Sequence, residues 1–95
     1  MQYQHQFGEE LENLIAKTSK NPKLLHEFLF DILTPKEYID LAVRWQIIKQ
    51  LKADVAQRDI VKNLKVSMAT ITRGSRELLN KTGGFNEVYK KYYKK

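Results

Sequence analysis

A chain of 95 residues with a net charge of +6 and 42% hydrophobic residues is long enough for one domain with a modest core. It has no cysteine, which rules out a disulfide framework, a thiolate metal site and a thiol nucleophile, and fits a reducing compartment. The chain does not open on a basic segment followed by an apolar run, and no stretch reaches the length of a membrane span. A cytoplasmic protein without a membrane partner is therefore expected.

Phe7, Leu11, Leu14, Ile15 and Thr18 recur at three- and four-residue steps and predict an amphipathic helix from Phe7 to Ser19. Asn21-Pro22 restarts the chain, with Asn as the N-cap and Pro at the first helical position, and Leu25, Phe28, Leu29 and Ile32 line one face of this second helix. It ends near Leu33. Thr34-Pro35-Lys36-Glu37 is a capping box, in which the Thr34 hydroxyl accepts from the Glu37 N–H and the Glu37 carboxylate reaches back.

The third helix, Pro35 to Lys52, is apolar on two sides: Tyr38, Leu41, Ala42, Trp45 and Ile48 form one stripe, and Ile39, Val43, Ile47 and Leu51 another. A surface helix of a monomer needs only one such stripe, so this helix is expected to be both central and buried against a second chain.

After Lys52-Ala53-Asp54-Val55, the stretch from Gln57 to Ser75 reads as two short helices joined by a tight turn. Ile60, Leu64 and Ile71 supply the inward faces, and Ser67 is an N-cap for the second helix. That helix opens on Met68, Ala69, Thr70 and Thr72 and continues to Arg73 and Arg76. Small side chains let a backbone approach a DNA major groove, hydroxyls and methyls meet base edges, and arginines reach phosphates. This is a helix-turn-helix pattern, with Met68, Ala69 and Thr72 as base-edge candidates, Arg58, Thr70 and Arg76 as phosphate candidates, and Ser67 also counted among the DNA-binding residues. Ordinary helix filling at Thr70 and a core contact at Met68 are the plainer alternatives. Two positions depart from the common pattern. Val61 stands where a small residue usually lets the helices touch, and Lys65 stands where Gly usually supplies a left-handed turn.

Gly83-Gly84 breaks the pattern, and Phe85, Val88, Tyr89 and Tyr92 predict a last short helix. The ending Lys90-Lys91-Tyr92-Tyr93-Lys94-Lys95 reads first as cations complementing a helix dipole, and secondarily as a phosphate contact. Residues 1–40 carry a balance of −3 and residues 41–95 one of +9. The basic half coincides with the helix-turn-helix, which points to a polyanionic partner.

Gln57-Arg58-Asp59-Ile60 followed by Ala69-Thr70-Ile71-Thr72-Arg73-Gly74-Ser75 resembles the tryptophan repressor family, and Leu33-Thr34-Pro35, Glu37 and Arg44 fit the same pattern. The resemblance runs from Leu33 to Leu78. It implies an all-α, six-helix fold forming an intertwined homodimer, with residues 1–95 as a single domain. The dimerisation core would be residues 7–52 and 84–93, and the helix-turn-helix head residues 56–79. It further implies a transcriptional repressor that binds double-stranded DNA at a palindromic operator, with no cofactor but L-tryptophan as corepressor. Leu33, Thr34, Arg44, Thr70, Arg73, Gly74 and Glu77 stand at the family's ligand positions. Guanidinium planes can stack on an indole and pair with a carboxylate. Glu77 replaces a serine found in some members, and could pair with the ligand's ammonium or with Arg73 one turn earlier. Arg44 could equally pair with Asp40. The link at residues 52–55 is about one residue shorter than the family's usual one, which should alter the head's angle.

A constitutive relative, or one that answers to another ligand, is the first alternative; a basic helical adaptor for RNA or an acidic protein is the second. An enzyme is not expected. There is no glycine-rich phosphate loop, His5 and His26 have no metal-ligand spacing with acids, and Glu9, Glu10 and Glu12 read as a solvated helix face.

Overall fold

A computed structural model describes residues 2–93, with side chains from His5 onward, as six helices without strands. They are α1 (Gln2–Thr18), α2 (Pro22–Ile32), α3 (Pro35–Lys52), α4 (Gln57–Leu64), α5 (Met68–Glu77) and α6 (Gly84–Tyr92). Lys94 and Lys95, the end of the basic tail, lie outside the described residues. The chain divides into two compact units, one ending at Tyr38 and the other beginning at Ile39.

The first unit is a pair of helices whose boundaries follow from capping chemistry. Near the end of α1 the Thr18 hydroxyl donates to Leu14 O at 2.9 Å, and the Ser19 hydroxyl donates to Ala16 O. Asn21 caps α2, its Oδ1 accepting from Leu24 N at 3.2 Å, with Pro22 in the first turn. The predicted capping box is formed: Thr34 N donates to Glu37 Oε1 at 2.8 Å and Glu37 N donates to Thr34 Oγ1 at 3.1 Å. Helix α1 starts at Gln2 rather than Phe7, because nothing between those residues stops a helix. His26 meets Phe30 and Tyr38 edge to face, with ring centroids 4.3 and 6.4 Å away, and Phe30 lies tilted against Tyr38 at 4.6 Å. No side chain from His5 to Tyr38 is buried in this single chain.

The second unit has a small apolar core. Ile47 of α3, Ile60 of α4 and Ile71 of α5 are buried together, and Val43, Leu51, Val55, Val61, Leu64 and Val66 pack on them. The Val43–Ile47–Leu51 side of α3 is therefore covered by α4 and α5. The connection from α3 to α4 is equally closed. Asp54 takes the left-handed conformation at φ 62°, Val55 N donates to Gln50 O and Asp54 N to Leu51 O, the paired bonds of a Schellman end. Helix α4 also ends on a left-handed residue, Lys65 (φ 56°, ψ 45°), where the Lys65 and Val66 N–H groups both donate to Val61 O, so the turn expected of a glycine is made here by lysine. Val61, expected to crowd the two helices, is part of the core between them.

Candidate nucleic-acid interface and ligand cleft

Helix α5 begins where Ser67, in extended conformation, accepts from Thr70 N at 3.2 Å, and its hydroxyl also bonds the Thr70 hydroxyl at 2.9 Å. The buried Ile71 fixes which side of α5 faces the core. Met68, Thr72 and Arg76, at i, i+4 and i+8, then share one exposed face. Ser67 stands exposed at the head of this face, and Arg58 is exposed in the first turn of α4. Thr70 and Ala69 are also exposed, but they turn toward the adjoining side of the helix, where a cleft lies.

That cleft, about 550 Å³, runs between α3 and α5. Arg44, Ile47 and Ile48 form one wall; Ala69, Thr70, Arg73, Gly74 and Glu77 form the other. Five of the seven residues assigned to ligand binding, Arg44, Thr70, Arg73, Gly74 and Glu77, are thus brought together. Leu33 and Thr34 belong to the first unit, where Leu33 caps the end of α2 and Thr34 starts α3. Gly74 lets α5 approach α3 closely, since a Cβ there would lie 3.2 Å from Ile47 Cγ2 and 3.4 Å from Ile48 Cδ1. Glu77 forms no ion pair with Arg73 among the described residues, so its carboxylate is left to the cleft and solvent. Two guanidinium groups, a carboxylate and an apolar floor suit a zwitterion with a flat apolar side chain.

Phe85 of α6 lines the same cleft and was not among the predicted site residues. It follows two glycines and reads as core packing, and no local spacing ties it to Arg44. Trp45, beside Arg44, turns the other way and donates through Nε1 to the Tyr93 hydroxyl at 3.1 Å, with the Phe85 ring 6.4 Å off. No cluster of metal-ligating side chains occurs among the described residues, and no helix there is long and apolar enough to cross a membrane.

Residues 8–92 match the protein family described as Trp repressor protein. The Trp operon repressor homolog of Vibrio campbellii is 40% identical over 76 residues, covering 78% of this chain and 74% of that protein. That of Chlamydia caviae is 34% identical over 90 residues, 94% of this chain and 87% of its own length. The homolog of Actinobacillus succinogenes is 51% identical over 53 residues, so the match spans about half of that relative, 52%.

Proposed function

The chain belongs to the Trp repressor family, and we propose that it is a dimeric transcriptional regulator that reads a palindromic operator with α5 and takes L-tryptophan in the cleft beside it. The observation that carries this reading is the division of α5 into two adjoining faces. Met68, Thr72 and Arg76 point outward, and Ala69, Thr70, Arg73, Gly74 and Glu77 wall the cleft. A ligand wedged against the second face changes the pose of the first, which is how a small molecule gates a groove-reading helix. In this assignment Arg58 and Arg76 anchor phosphates and Met68 and Thr72 meet base edges, with Ser67 at the head of the same face, while Ala69 and Thr70 stand on the cleft side, where Thr70 serves the ligand. Arg44 and Arg73 flank the indole and hold the carboxylate, and Glu77 takes the ammonium.

The second copy is supported by the first unit, in which Phe30 and Ile32 are 50% and 49% exposed and no described side chain is buried. Two helices without a core are not held by propensity alone, so these faces need a partner, and two-fold pairing matches half-sites about one DNA turn apart. Selection from random-sequence duplexes, with and without L-tryptophan, tests the reading, followed by calorimetry with the amino acid. An enriched palindrome that depends on tryptophan is expected. A palindrome recovered equally without it makes the protein constitutive, and no enriched sequence overturns the DNA-reading assignment in favour of an adaptor.

A further inference from the structure

Asn86, in the first turn of α6, is the one polar side chain buried among the described residues, 8% exposed. A buried amide is tolerated when its hydrogens and oxygen are bonded, and here they are. Nδ2 donates to Leu78 O at 3.0 Å and to Asn80 O at 2.9 Å, and Oδ1 accepts from Lys52 Nζ at 2.9 Å. Leu78 is the C-cap of α5, and Lys52 is the last residue of α3. The last carbonyls of a helix have no donor within it, so α6 supplies one to α5 and is held by α3 at the same time. The loop between α5 and α6 is drawn in as well, with Gly83 N donating to Asn80 O and Thr82 N to Asn80 Oδ1. The neighbouring Phe85 lines the cleft that α3 and α5 enclose.

We infer that Asn86 is a positioning residue for DNA recognition, a three-way tie that sets the angle of α5 against α3 and thereby both the pose of the reading face and the width of the cleft. This rests on the regulatory reading above. Tilting α5 breaks the bonds to Leu78 and Asn80 or drags α6 and Phe85 with it, so the groove-reading end of α5 is held from its far end.

The test uses the full chain and the duplex that selection enriches, beside a random duplex, with and without L-tryptophan. Asn86→Ala should lower the ratio of specific to random affinity about tenfold, because the Leu78 and Asn80 carbonyls and Lys52 lose their shared partner. Affinity for the random duplex and its salt slope should hold, since no charge is removed. Lys52→Met provides a second reading should Asn86→Ala fail to fold. Lys52 is exposed, and Lys81→Met, in the same neighbourhood, removes an equal charge without touching Asn86. Lys52→Met should lower the ratio about threefold more than Lys81→Met. Equal ratios in those two variants, or specific and random binding falling together in Asn86→Ala, overturn the positioning role. A wild-type chain with no sequence preference sinks the regulatory reading and this role with it, whereas preference retained in Asn86→Ala sinks the role alone.

Discussion

Lys65 holds φ 56° and ψ 45°, a conformation in which an L side chain crowds the following carbonyl at a cost of about 1–2 kcal/mol. Its side chain is exposed, so Lys65→Gly removes the crowding and little else. After allowance for glycine's greater freedom when unfolded, the variant should gain about 1 kcal/mol, which raises Tm by about 4–8 °C in a domain of this size. A thermal melt followed by circular dichroism measures it, and an unchanged Tm would contradict the left-handed turn. Gly74 is the opposite case. Alanine there gains about 1 kcal/mol in helix propensity but meets the buried, stiff γ-branch of Ile47 at 3.2 Å, and overpacking of this kind costs about 1–3 kcal/mol. Gly74→Ala should lower Tm and weaken tryptophan binding together, read by melting and calorimetry. A loss of binding with Tm raised would mean that Ile47 yields and only the cleft is affected.

Helix α5 concentrates the proposed functions because residues three and four apart share a face, so that one short helix presents Met68, Thr72 and Arg76 on one side and Ala69, Thr70, Arg73 and Glu77 toward the cleft. The two kinds of contact separate experimentally. Arg76→Ala should weaken all duplexes alike and reduce the salt slope of binding by about one unit. Thr72→Val should leave the slope alone and change which sequences are preferred, by about 1–3 kcal/mol at the affected base pair. Equal loss across sequences from Thr72→Val would remove that residue from the base-reading set. Helix α3 is the matching partner. Its Val43–Ile47–Leu51 side closes the core with α4 and α5, and Ile48 of the other stripe is buried too, while Ile39 and Leu41 stay 58% and 48% exposed. A double-sided helix in sequence is thus satisfied by its own chain only toward its C-terminal end.

In the full chain, the first unit leaves apolar surface open with no buried side chain among its described residues. Phe7, Leu14, Leu24, Phe30 and Ile32 are all exposed in the first unit, and pairing with a second copy is the assembly proposed for them. Folding and association should then be one process, so Tm should climb with protein concentration over a roughly hundredfold range. Sedimentation equilibrium should report a dimer, and Phe30→Lys should shift it toward monomer with loss of helical signal. A folded monomer with a concentration-independent Tm would remove the dimer from the proposal.

Much of this architecture was legible along the chain. Asn21-Pro22, Thr34 with Glu37, and Ser67 each announce a helix start, and Lys65 announces a left-handed turn by standing where glycine is usual. These features depend on hydrogen bonds and torsions spanning three or four neighbouring residues, which local residue types specify. The cleft was legible only in part: Arg44, Arg73 and Gly74 came from likeness of pattern, while Phe85 gave no local sign. The Schellman end at Asp54 was hidden because aspartate seldom takes that role. The tie from Asn86 to Lys52, 34 residues apart, was invisible for a more general reason. Whether a polar side chain is buried, and what it then bonds, is settled by how distant helices pack, and no periodicity along the chain encodes that contact.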